Sequence, residues 1–447
     1  MSFDKKSLSA DLSQSRTTSY LRHLRFSLVF KCLAVLATFI AVPLTLHWLG
    51  PEKYGIWSTI LSVVSWIVFF DLGVGNGLKN RLAEAIATQQ PKKAAHSIAC
   101  AYSLMALISL GIVVSSLLVS PWVPWQEVFN SHVINTTELA WVMNLTIVMV
   151  ACNFFISLIN PILYALQKSA LAILGQLINN GLALAALYWV SHSFSPSLVL
   201  IAVIYALALT LPNIGLSLWL YHQQPDWRPT LRWQHLRNND QLTLGLQFFI
   251  LQLAVIFIFA TDKIMMSQFF GPEYVASYDV LFKYFSIVTL LYSLISTPLT
   301  SSYTDAFHRE DFAWIRRTLY QQFQWFLTIL AAVALMIFVA PWIIRFWVGH
   351  EMQYSMALIM SLSLFILMTI WVNIFATLVN GIGHLKPQLY CLIFAMLINI
   401  PLAWALVHEF HLGVEAIPFS STLSLLPFAV IGPIQVFSLL KEKFQHR

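Results

Sequence analysis

The chain has 447 residues, 58% of them hydrophobic, 14% aromatic and only 10% charged, with a mean hydropathy of +0.73. A soluble domain carries roughly a quarter charged residues, so this composition excludes a water-soluble enzyme and, being rich in aromatics, a disordered chain. A formal charge of +6 and a pI near 9.1 raise nucleic acid as a partner, and the position of the charges decides that question.

Twelve apolar runs follow one another, at roughly 26–49, 54–78, 96–119, 139–165, 168–190, 197–221, 242–270, 275–301, 317–340, 354–380, 387–409 and 416–440. Each is near the ~20 residues that an α-helix needs to cross hydrocarbon. Stretches such as 327–335 do not alternate as a membrane β-strand must. The expected fold is therefore an all-α polytopic membrane protein with twelve transmembrane helices.

Of the 25 Lys and Arg residues, twenty lie in the N-terminal tail (1–25), in every second loop and in the C-terminal tail (441–447). The opposite gaps hold only Lys53 and Arg345, while Lys31, Lys263 and Lys283 fall inside runs. This bias predicts a multi-pass protein with both termini cytoplasmic. The basic tail then reads as attraction to anionic membrane lipids, and no nucleic acid is required. No cleavable signal peptide is expected, because a polar stretch precedes run one. Cys32, Cys100, Cys152 and Cys391 lie inside runs and the histidines lack ligand spacing, so neither a disulfide framework nor a metal is expected.

In run one, Lys31 is in line with Thr38 and Thr45. It sits about 8 Å inside the run at 1.5 Å per residue, where it either snorkels to the cytoplasmic surface or meets an anionic head group. Run two contains Ser62 and Ser65 and ends in Asp71, Gly73, Gly75, Asn76 and Gly77. These glycines allow close helix approach or a hinge, and the plainer reading has Asp71 and Asn76 tying helix ends together. No strand precedes them, so they are not a nucleotide fingerprint, and no Walker sequence occurs. The longest outer gap, residues 120–138, contains no Lys or Arg, which argues against a periplasmic glycan ligase or polymerase acting on a diphosphate.

Run seven carries Asp262 and Lys263, the latter roughly 12 Å from its outer end. It closes with Gly271-Pro272-Glu273, repeating Gly50-Pro51-Glu52 at an offset of 221 residues. Both are turns between two spans. The repeat predicts two six-helix lobes, 26–221 and 242–440, joined by a cytoplasmic linker at 222–241. In run eight, Asp279, Lys283, Ser286, Ser293, Thr297 and Thr300 share one helical face. The same offset yields Ser58, Ser62, Ser65, Leu72, Asn76 and Lys79 in run two, so both repeat-related helices are expected to line a central cavity. Ionisable residues within spans are functional candidates by default, and Asp262 or Asp279 is the expected partner of Lys283 when substrate is absent.

The stretches from Leu49 to Trp57, from Asp71 to Glu84 and from Asp262 to Gly271 resemble signatures of the polysaccharide flippases. These are the O-antigen, or Wzx-type, members of the multidrug/oligosaccharidyl-lipid/polysaccharide exporter (MOP) superfamily. The resemblance implies a V-shaped bundle in a bacterial inner membrane that moves an undecaprenyl-diphosphate-linked oligosaccharide to the outer leaflet by alternating access. It implies a transporter rather than an enzyme, with polysaccharide polymerase or assembly proteins as further partners. On this reading Lys31, Lys263 and Lys283 meet the diphosphate, while Ser62, Ser65, Asn76, Ser286, Ser293 and Thr297 meet sugars. Asp71, Asp262 and Asp279 serve internal pairing or proton or sodium coupling; Gly50, Pro51, Gly73, Gly75, Gly77, Gly271 and Pro272 form turns and hinges. An ion-coupled multidrug exporter of the same superfamily is the alternative.

Overall fold

The computed structural model describes residues 5–68, 74–131, 134–229, 261–349, 352, 354–384 and 386–445. In chain order the helices are α1 (Lys5–Val68), α2 (Val74–Ala87), α3 (Pro91–Val119), α4 (Trp125–Phe129), α5 (Thr136–Ile156), α6 (Ile159–Ala165), α7 (Ser169–Ser193) and α8 (Leu198–Gln223). Then come α9, described over 261–270, α10 (Pro272–His308), α11 (Phe312–Val348), α12 (Met356–Ile382), α13 (Lys386–His408) and α14 (Ala416–Gln445). No strand occurs among the described residues. Local chemistry sets several ends: Ser197, Asp311 and Ser355 accept the backbone N–H three residues on, and Gly349 and Gly383 close α11 and α12 in the left-handed conformation.

Ten described segments are long and apolar enough to cross a membrane. The twelve expected runs map onto them with two differences. The segment Val29–Ser65 covers most of run one and the first half of run two, helical on either side of non-helical Gly50; residues 69–73 of run two lie outside the described residues and its end falls in α2. Run seven is described only from residue 261 onward. Run four is also broken, into α5 and α6, at Ser157. Lipid is the natural partner for what these helices leave exposed: only 17% of the most apolar window of α11 is buried, and Phe346 is 92% exposed.

The chain forms two compact units. The first comprises the described residues of Met1–Trp48, Ile67–Pro124 and Asn135–Phe249; the second comprises those of Leu49–Trp66, Trp125–Ile134 and Ile250–Arg447. Their membership differs from the lobes read from the sequence, because 49–66 and 125–134 pack with the second unit; residues 230–241 of the expected linker lie outside the described residues. In the first unit α5 packs on α3 and α8, and α7 on α8. Asn160 donates to Asn213, and Asn213 to Asn153, tying α6, α8 and α5 together. In the second unit α12 packs on α10 and α14, and α13 on α14, around Phe365, Ala395 and Leu425. The short α4 docks on the end of α9, where Ser267 donates to the Phe129 carbonyl at 2.7 Å and Asn130 donates to that of Ser267 at 3.2 Å.

Candidate functional site

Two glycine–proline turns position the site. Gly50 (φ 76, ψ 167) and Gly271 (φ 111, ψ 158), 221 residues apart, share a backbone region essentially restricted to glycine. Pro272 opens α10, where its missing N–H is not needed. Gly55 packs directly on this turn, since a Cβ there would lie 1.7 Å from the Pro272 carbonyl oxygen. The part of α1 after Gly50 is thus held against the start of α10. Tyr54 thereby meets Asp279 and Lys283, one turn apart on α10, and Ser58, one turn on from Tyr54, meets Lys263 on α9.

Asp279 is the centre of the cluster and is 1% exposed. Lys263 reaches its Oδ1 at 2.5 Å and Lys283 its Oδ2 at 2.6 Å. Tyr54 donates to the same Oδ2 at 2.6 Å and accepts from Lys283 at 3.0 Å. Lys263 also donates to the Ser58 hydroxyl at 2.9 Å. Two ammoniums and one carboxylate leave a net charge of +1. The carboxylate is buried, whereas the Lys263 and Lys283 side chains are 17% and 31% exposed.

A second buried carboxylate lies next along α9. Asp262 accepts from the Tyr278 hydroxyl at 2.7 Å and from that of Ser421 at 2.8 Å. Asn399 donates to the Ser421 oxygen at 2.9 Å, while its own Oδ1 is buried with no hydrogen-bond partner. Among the described residues no three His, Cys, Asp or Glu side chains gather as a metal-ligand group.

Of the expected site residues, Lys263, Lys283 and Asp279 come together and Asp262 stands beside them with different partners. Lys31 belongs to the first unit, on an exposed position of α1. Thr38, its neighbour in line, accepts from Asn180 at 3.1 Å. The hydroxyls bond within their own helices: Ser62 to Ser58, Ser65 to Ser62, Ser286 to Lys283, Ser293 to Leu290 and Thr297 to Ser293, each donating to a carbonyl three or four residues back. Each hydroxyl oxygen keeps lone pairs that can accept a further hydrogen bond. Gly75 and Gly77 lie within helix α2; Asp71, Gly73 and the Asn76 side chain lie outside the described residues.

Sequence reasoning did not single out Tyr54, Tyr278, Ser421 or Asn399. Tyr54 had a readable signal, four residues before Ser58 on one helical face. Ser421 and Asn399 had none. A cavity of about 510 Å³ between α12 and the start of α14, lined by Met360, Ser363, Leu364 and Glu415, shares no residue with either cluster.

The sequence profile described as "Polysaccharide biosynthesis protein" matches residues 22–303, and that of MatE matches residues 248–405. A candidate O-antigen export protein of Yersinia pseudotuberculosis is 20% identical over 381 residues, 84% of this chain and 86% of that protein. Among solved structures, an inward-facing multidrug resistance MATE family transporter of the MOP superfamily aligns with a TM-score of 0.72 at 16% identity, covering 94% of this chain and 98% of that one. A MOP superfamily transporter from Pyrococcus furiosus aligns with a TM-score of 0.62 at 17% identity, over 94% and 96%. At such identities the likeness shows the fold alone, that of the twelve-helix, two-lobe MATE neighbours.

Proposed function

This chain belongs to the polysaccharide biosynthesis protein family, the Wzx-type branch of the MOP superfamily of transporters, and from that premise we propose that it flips a polyprenyl-diphosphate-linked oligosaccharide from the inner to the outer leaflet of a bacterial inner membrane. The observation that carries this reading is the pair Lys263 and Lys283, both anchored on buried Asp279, with their side chains 17% and 31% exposed. A diphosphate in a membrane protein needs fixed positive charge with N–H donors to spare. Each ammonium has three donors and spends two within the cluster. The hydroxyls of Ser62, Ser65, Ser286, Ser293 and Thr297 are offered to the sugars. O-antigen or a related polysaccharide is the product served, with polymerase or assembly proteins downstream.

Energy enters through an ion or through downstream consumption. Asp262 is the carboxylate we assign to coupling, because Asn399 Oδ1 is an unused buried acceptor in its network, fit to meet a proton or sodium that Asp262 would share. The test of the main reading is reconstitution in liposomes with a polyprenyl-diphosphate-linked oligosaccharide. Lys283→Gln and Lys263→Gln should each slow flipping about tenfold or more, a loss of roughly 1.4 kcal/mol of charge-assisted binding; unchanged rates refute the diphosphate site. The second reading, an ion-coupled multidrug exporter, is favoured by the MatE match over 248–405 and the MATE neighbours. It predicts extrusion of lipophilic cations from everted vesicles driven by a proton or sodium gradient.

A further inference from the structure

We propose that Asp279 is a built-in stand-in for the substrate's anion: it occupies Lys263 and Lys283 while the site is empty and gives them up when a diphosphate arrives. This rests on the reading of those lysines as diphosphate ligands. The geometry is that of a competitor. Asp279 is buried, with one oxygen on each ammonium, while the Lys263 and Lys283 side chains are 17% and 31% exposed. Tyr54 and Ser58 hold the lysines from α1, and Asp262, the other carboxylate nearby, is occupied by Tyr278 and Ser421.

The competition follows from donor arithmetic. With Asp279 in place, each lysine has one N–H left. A diphosphate that takes more than these two hydrogens must displace the carboxylate. Two unpaired ammoniums in a membrane protein are costly, so an empty site without Asp279 would hold any anion tightly and release it slowly. With Asp279, the carboxylate reclaims the lysines as the head group leaves. Because coupling between two ligands is reciprocal, the affinity that the diphosphate loses to Asp279 is the drive for its own release.

Asp279→Asn removes the competing charge and keeps an oxygen acceptor. With farnesyl diphosphate as the probe, titrated into purified protein in lipid nanodiscs, Asp279→Asn should bind about tenfold tighter, within the usual range of coupling between sites. Asp279→Glu should bind as the unaltered protein does, and farnesol, which lacks the diphosphate, should not distinguish the three. In liposomes the asparagine variant should lower both KM and kcat, since release slows as binding tightens. Unchanged or weaker binding by Asp279→Asn, with Lys283→Gln still impaired, overturns this inference and leaves the diphosphate site standing; no effect of Lys283→Gln overturns that site itself. Should the asparagine variant not fold, infrared difference spectra of the unaltered protein decide. Farnesyl diphosphate should shift a carboxylate band, and no shift refutes the displacement.

Discussion

The two glycine–proline breaks, one at Gly50 in α1 and the other at Gly271 between α9 and α10, agree in backbone and differ in charge. Both glycines occupy the same backbone region, both prolines follow, and Ser65 and Ser286, 221 residues apart, each donate to the carbonyl three residues back, at 2.6 and 2.7 Å. Yet where the second repeat has Asp262, Lys263, Asp279 and Lys283, the first has Ala41, Val42, Ser58 and Ser62. The break is set by what glycine and proline alone can do, and so recurs. The charge is carried by side chains that a helix tolerates or omits without altering its path, and at these four positions it is confined to one repeat. The first repeat contributes neutral oxygens, Tyr54 and Ser58, to the cations of the second.

The sharpest break in this equivalence is at Gly55. Its repeat mate, Ala276, has a methyl group, whereas a methyl group on Gly55 would collide with the Pro272 carbonyl. Gly55→Ala should therefore destabilise the protein by about 3 kcal/mol, the upper end of overpacking, while Ala276→Gly should cost about 1 kcal/mol, the helix propensity difference. Thermal unfolding in detergent or nanodiscs reads both; equal effects would mean that the two turns meet their surroundings alike. Next in size are Gly50→Ala and Gly271→Ala, about 1–3 kcal/mol each from forcing a Cβ into a glycine-only region. Here the two repeats should match, and a gap above about 1 kcal/mol would break their equivalence.

A smaller loss is expected at Ser58, whose repeat mate is Asp279. Ser58→Ala removes one acceptor from Lys263 but leaves its ion pair, so about 1 kcal/mol should be lost. Chemical denaturation of the purified variant measures it, and a loss near that of deleting the carboxylate would mean that Ser58 rather than Asp279 holds the lysine.

How much of this was legible beforehand depends on the kind of signal. Hydrocarbon demands continuous apolar length, so the spans stand out, and Gly50-Pro51 and Gly271-Pro272 mark where the helices break. An ionisable residue within such a run is equally conspicuous, and the four-residue step from Asp279 to Lys283 places both on one face. The break at Ser157 and the packing of 49–66 with the second unit were not legible, because sequence adjacency does not report packing partners. Nor was the joining of Asp262 to Ser421 across 159 residues, since serine is unremarkable in a membrane helix. Lys31 carried the same signal as Lys263, yet it occupies an exposed position in the first unit.

The smallest expected effect tests the part of the comparison that holds best. Ser65 and Ser286 are repeat mates, both half-buried, and each spends its proton on its own helix. Such back-bonding adds little to a helix and slightly strains it, so Ser65→Ala and Ser286→Ala should each change stability by less than about 0.5 kcal/mol. What remains to each hydroxyl is acceptor capacity. If the two helices present the same face to the sugars, both substitutions should lower flipping of the sugar-bearing lipid two- to threefold, by equal amounts, and leave binding of farnesyl diphosphate unchanged. An effect at Ser286 alone would place the sugars with the charges, on the second repeat only.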